Sequence, residues 1–188
     1  SGVLGLGFDL EALNNGVKNN PDIISIDGGS TDSGPYSLGS GTSKYSRAAI
    51  KAEWKSLMIA RKKANVPLVI GSCGTCGTNG MVDWMEKITI ELAEELNQNI
   101  KIAKLYCQQE KNFIKKKLQL RKIFPLNPAP MLNCQLIEEM TNIVALAGAE
   151  QIQECINTGA EIILAGRTTD TAITVSYTHL RAHETIRH

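Results

Sequence analysis

Short apolar runs alternate with segments of helical period along this chain of 188 residues, and that alternation restricts the fold more than any other feature. The run from Ile23 to Ile26, just after Pro21, predicts a buried strand, and Leu68 to Ile70 follows Pro67 as a second. Ile100 to Tyr106 and Glu161 to Ala165 are the third and fourth. Between the first two, Ile50, Trp54, Leu57 and Met58 repeat at helical spacing, which puts one apolar stripe on a helix from about Lys44 to Ala64. Ser43 is its expected N-cap, and Asn65 and Pro67 end it. Met81, Met85, Ile88, Leu92 and Leu96 mark a second amphipathic helix, and a basic one spans about Glu110 to Lys122. Pro125, Pro128 and Pro130 then form a stiff connector. Leu136, Met140, Ile143 and Val144 restore helical spacing, with Gly148 as the expected C-cap, and a shorter helix ends near Gly159. Helices inserted between strands make crossover connections, so the expected fold is α/β, an open and mainly parallel sheet with helices on both faces.

The 43% apolar and 21% charged content excludes wholesale disorder. No apolar run approaches the roughly 18 residues of a membrane span, and the N-terminus lacks the basic and apolar regions of a signal peptide. The first residue is Ser1, so a missing start or a cut precursor is expected. Five cysteines, an odd number, fit reduced thiols and a cytoplasmic location. A net charge of +1 and 5% aromatic residues argue against nucleic acid and membrane as partners. The eight Lys/Arg against one Glu between Lys101 and Lys122 read as a solvated helix face.

The last stretch, VSYTHLRAHETIRH, breaks the pattern and resembles translated read-through of a sequencing adapter. The expected organisation is therefore one domain over residues 1–174, truncated, with a non-native tail over 175–188. His179 and His183 have the spacing of metal ligands on a helix, but an artefactual tail makes that spacing accidental, and no metal site is assigned.

Three turns leaving strands hold the residues with chemistry. In IDGGSTDSGPYSLGSG, Ile26 to Gly41, five glycines and two aspartates stand within 16 residues before a helix. Gly28, Gly29 and Gly34 would let a ligand approach main-chain N–H groups, with Ser30 and Thr31 as hydroxyl donors. Asp27 and Asp32 oppose a pure phosphate cradle and suit a general base or a metal-bridged phosphate. The rival reading is an ordinary turn whose aspartates cap N–H groups. IDGGST also resembles the phosphate loop of actin-like ATPases, although there the motif enters a hairpin rather than a helix. In GSCGTCGTNG, Ser72, Gly74 and Thr75 are the binding candidates. Cys73 and Cys76 form a C-x-x-C without the second pair a zinc site needs, so small residues tolerated in a tight loop is the preferred reading. In LAGRTTDTA, Arg167 offers a fork for carboxylate or phosphate, Thr168 a hydroxyl, and Asp170 a base or a structural partner for Arg167. Parallel topology sends all three turns to the carboxyl edge of the sheet, where they can line one crevice around an anionic ligand.

Taken together, IDGGSTDSGPYSLGSG, SRAAIKAEWKSLMIARKKANVPLVIGSCG and GAEIILAGRTTDTAI resemble the acyclic terpene utilisation (AtuA) family, over roughly Asp22 to Thr174. Asp27, Gly29, Ser30, Thr31, Asp32, Gly34 and Pro35 match the first motif, Gly71, Ser72 and Gly74 the second, and Gly166, Arg167, Asp170 and Thr171 the third. Cys73 and Cys76 depart from the small residues expected there. The resemblance implies the N-terminal portion of a longer catabolic protein, acting on or binding an acyl, CoA-thioester or carboxylate substrate. In that reading Asp27, Asp32 and Asp170 are the catalytic candidates and Arg167 binds the anionic group. No cofactor is assigned. Two alternatives stay open: a non-catalytic binding or assembly subunit of an acyl-CoA catabolic complex, as a homo-oligomer or with a partner, and a phosphate-binding protein of the actin-like ATPase type.

Overall fold

The computed structural model describes residues 2–29 and 34–185, and from residue 179 onward the backbone alone. In chain order its elements are α1 (Leu10–Lys18), β1 (Ile24–Asp27), α2 (Tyr36–Ser40), α3 (Arg47–Ala64), β2 (Leu68–Gly71), α4 (Asn79–Glu95), β3 (Ile102–Leu105), α5 (Lys111–Gln119), α6 (Cys134–Glu139), α7 (Ala149–Asn157), β4 (Ile162–Ala165) and α8 (Ala172–Thr185). The strands form one sheet in the order β1-β2-β4-β3, and every pairing is parallel. Ile24 aligns with Leu68, Leu68 with Ile162, and Ile162 with Ile102. This is the α/β architecture the alternation predicts.

Strand chemistry matches strand position. The central strands, LVIG and IILA, carry no polar side chain and are buried throughout, as a strand covered on both faces must be. Of the edge strands, ISID alternates buried with partly exposed positions, and IAKL has no fully buried residue. Period-two alternation divides the core in two. Ile26, Leu68, Ile70, Ile162 and Leu164 pack with Trp54 and Met58 of α3 and Met85 and Leu92 of α4. Val69, Ile163 and Ala165 face the other way, toward Ile152 of α7 and Ile173 of α8. The crossovers β1 to β2 and β2 to β3 run in one direction along the sheet and share a face. The return from β3 to β4 runs the opposite way over the other face, as right-handed connections require. Trp54 Nε1 donates to Thr89 Oγ1 at 2.9 Å, tying α3 to α4 inside the larger core.

Several local expectations change. Ser46, not Ser43, caps α3 by accepting from the Ala49 N–H. Ser43 Oγ instead bonds the backbone of Tyr45. The helix expected through Ile143 and Val144 stops at Glu139, and Gly148 stands at the N-cap of α7 rather than closing the preceding helix. The basic helix is shorter than expected, Lys111–Gln119. α8 runs without interruption across residues 174 and 175. Among the described residues, no helix is long and apolar enough to cross a membrane.

At the opposite edge from the predicted turns, Arg61 is 2% exposed and donates from Nη1 and Nη2 to Glu161 Oε1 at 2.9 and 2.6 Å. Glu161 Oε2 accepts from the Lys101 N–H at 3.0 Å, so one carboxylate joins the end of α3 to the starts of β3 and β4. Removing it leaves a buried cation without its partner. Glu161→Ala should cost about 2–3 kcal/mol in urea unfolding, below the roughly 3–5 of a fully buried pair, because Glu161 reaches solvent.

Candidate functional site

The chain leaves β2 toward the face that carries α4 and leaves the neighbouring β4 toward the face that carries α8. Adjacent strands whose connections diverge in this way define the switch point where α/β sheets bind ligands. The turns after β1, β2 and β4 meet at this edge. Their main-chain donors are engaged with one another: Gly28 N–H donates to Gly71 O (2.7 Å), Ser72 N–H to Gly166 O (2.8 Å), Cys73 N–H to Ala165 O (3.0 Å), and Thr75 N–H to Gly28 O (3.0 Å).

The glycines explain how the turns come so close. A Cβ on Gly28 would lie 2.6 Å from the Ser72 carbonyl oxygen, and one on Gly29, at φ +148°, would lie 2.5 Å from Thr75 Cα. Gly77, at φ +66°, abuts the backbone of Gly166 and Arg167 so closely that any side chain would overlap it. Gly74 packs on Met81. These positions are filled by neighbouring chain rather than left open. Gly34 differs, with φ +84° and, among the described residues, nothing within 4 Å of its would-be Cβ.

Arg167 sits at the junction, 5% exposed. Its Nη1 donates to Gly29 O at 3.2 Å and to Thr75 O at 3.1 Å, so one guanidinium holds the turns after β1 and β2 to its own turn after β4. Its buried Nε has no hydrogen-bond partner among the described residues. Asp27 ends β1, and its Oδ1 accepts from the Gly29 N–H at 3.1 Å. Burial pushes the Asp27 carboxyl above its ordinary value, and the nearby Asp170 carboxylate adds to that, while the Gly29 N–H and the Arg167 cation act in the opposite sense. Asp170 is exposed on the turn before α8. Ser72 and Thr168 are buried and joined, with the Thr168 N–H donating to Ser72 Oγ at 3.4 Å. Thr75 Oγ1 accepts from the Lys44 N–H at 3.1 Å. Ser30, Thr31 and Asp32 lie outside the described residues.

Above Arg167 lies a hollow of about 480 Å³, within the size range of small-molecule pockets. Gly34, Thr75, Cys76 and Arg167 line it together with Pro35, Leu38, Val144 and Leu146. Val144 and Leu146 belong to an extended strap between the turns after β3 and β4. Val144 bridges to Gln108, Ala147 bridges to Thr168, and the Ala147 N–H donates to Arg167 O at 2.9 Å. Extended backbone turns alternate side chains to one side, which is why these two both face the hollow. The helical reading of this segment concealed them. A ladder of amides walls off a second, polar hollow of about 460 Å³. Asn79 and Gln108 exchange backbone-to-side-chain bonds at 3.2 Å, Gln108 Nε2 donates to Asn142 Oδ1 at 3.3 Å, and Asn142 Nδ2 donates to Leu38 O at 2.8 Å. Gln108 and Asn142 had no sequence signal, being isolated amides in irregular segments.

Burial pushes the Cys73 thiol up, so it stays protonated at neutral pH. Cys76 Sγ lies 3.5 Å from Thr78 Oγ1. Among the described residues no group of three or more His, Cys, Asp or Glu could hold a metal ion. The side chains of His179 and His183 lie outside the description.

A family model described as acyclic terpene utilisation family protein AtuA matches residues 37–181, which include α3, all the turns after β2 and the Arg167 turn. No curated protein and no solved structure matches the chain.

Two tests address the geometry. Gly77→Ala should destabilise by about 2–3 kcal/mol through strain and overlap. Gly80→Ala, in the open first turn of α4, should gain about 0.5–1 kcal/mol, both read by denaturant melts. Because the folded Asp27 carboxyl sits above its unfolded value, its charge penalises folding at neutral pH, and that penalty is relieved as pH falls through the folded value toward the unfolded one. Asp27→Asn, which keeps an acceptor for Gly29, should therefore raise Tm at pH 7 and lose that advantage near pH 4.

Proposed function

Because the chain belongs to the acyclic terpene utilisation family AtuA, we propose that it is a cytoplasmic catabolic protein that binds and transforms an acyl substrate, a carboxylate or a CoA thioester, at the carboxyl edge of the sheet. The observation that carries this reading is the pairing of a buried Arg167, with one N–H unpartnered among the described residues, and an Asp27 carboxyl raised by burial, on turns that Arg167 itself bridges. The cation attracts the anionic or polarised end of an acyl group. A carboxyl shifted toward neutrality both takes and returns a proton, the requirement for chemistry next to a carbonyl. Burial holds Asp27 in that state, and Asp170, exposed at the rim, adds to it by like-charge repulsion. The main-chain N–H groups of Gly28, Gly29, Ser72, Cys73 and Thr75 are occupied, so the charge recognition in this proposal falls to a side chain.

A second reading, an assembly subunit, is favoured by one feature. The proline-rich connector exposes Phe124, Leu126 and Met131 at 75%, 88% and 87%, an apolar surface suited to a partner protein.

The two readings separate on proton exchange. An α-deuterated acyl substrate incubated with the protein should lose its label, followed by NMR, and Asp27→Asn should slow the loss by about a hundredfold or more while ligand binding persists. Exchange unchanged in Asp27→Asn, with a stoichiometric partner co-purifying, would favour the assembly role.

A further inference from the structure

Resting on the acyl-substrate reading, we infer that the hollow above Arg167 takes a free carboxylic acid with an aliphatic tail, the carboxylate on the guanidinium and the tail along Leu38, Val144 and Leu146. The charge argument comes first. Arg167 is 5% exposed, its Nη1 is bonded to two neutral carbonyls, and its Nε has no acceptor among the described residues. Among the described residues it makes no ion pair within 4 Å. A cation so placed gains most from an anion that brings a full negative charge and two acceptors, and a carboxylate does both. A thioester carbonyl is neutral, and its phosphates are remote from the acyl end, so it would add no negative charge beside the cation.

The walls supply the second half. Opposite the cation the large side chains are apolar, and the extended strap turns Val144 and Leu146 to the same side. Leu146, on the rim of the hollow, is 57% exposed. An aliphatic chain lying across it would remove that surface from water. Leu38 is held in place from behind, since its carbonyl accepts from Asn142 and the neighbouring Gly39 carbonyl accepts from Thr141 Oγ1 at 2.8 Å. The wall is therefore preformed, and tail length rather than loop ordering should govern affinity.

Titration calorimetry on the full chain tests this with acetate, hexanoate, octanoate, octanamide and octanoyl-CoA. Affinity should rise from acetate to octanoate by about fourfold for each methylene buried. Octanamide and octanoyl-CoA should bind at least tenfold more weakly than octanoate. Leu146→Ala, at an exposed position that leaves the core intact, should weaken octanoate several-fold and leave acetate unchanged. Leu146→Asp should repel every acid. Octanoyl-CoA or octanamide binding as well as octanoate would overturn the free-acid assignment while leaving the acyl reading in place. Octanoate binding indifferent to both Leu146 variants would place the acid elsewhere and overturn the inference. Binding of none of the five would remove the acyl reading along with it.

Discussion

A guanidinium withdrawn from water organises the working edge of this molecule. Arg167 reaches from the turn after β4 to the carbonyl of Gly29 after β1 and that of Thr75 after β2, so three segments far apart in the chain close around one cation. Burying such a charge costs several kcal/mol, and two neutral carbonyls return only part of it. The Asp27 and Asp170 carboxylates lie close enough to be coupled with one another electrostatically, and Arg167 acts on Asp27 in the opposite sense. The edge is thus left with an unfinished electrostatic balance, beside an apolar hollow where the dielectric does little to screen it. In the function proposed, stability and ligand recognition draw on the same side chain.

The glycines acquire a different meaning in that setting. A Gly/Ser-rich turn after a strand suggests a cradle of free N–H groups. Here the N–H groups of Gly28, Ser72, Cys73 and Thr75 are engaged with neighbouring carbonyls, and Gly28, Gly29 and Gly77 permit backbone to touch backbone. Without that contact Arg167 could not span the three turns. The glycine positions therefore matter to the site through the cation they allow to be placed. The strap from Ile143 to Ala147 completes the arrangement by pairing with the turns on both sides, and the amide ladder through Gln108 and Asn142 divides the space above into a polar and an apolar compartment.

The elements built on strong periodicity were legible in the sequence. Ile50, Trp54, Leu57 and Met58 identify α3, and Met85, Ile88 and Leu92 identify α4, because a single apolar stripe at helical spacing has one way to be buried. What periodicity misjudged was short and irregular. Val144 lies in an extended strap although its spacing from Leu136 and Met140 is helical, since pairing with Gln108 outweighs a weak local preference. Ser43 lost the N-cap to Ser46 because the backbone of Tyr45 engaged its hydroxyl first. The central position of β2 and β4 was encoded in strands free of polar side chains, yet that signal has meaning only once the strands are known to share a sheet.

The amino-acid sequence by itself determined the α/β class, the family, the residues that stand at the carboxyl edge and the charge types gathered there, because alternation and strand polarity are local properties. Tertiary structure alone decided which of those residues come together and which are buried. Whether an N–H is free, whether a glycine faces chain or space, and whether Arg167 finds its acceptors all depend on segments forty or more positions away. Burial and through-space electrostatics follow distance in the fold rather than distance along the chain.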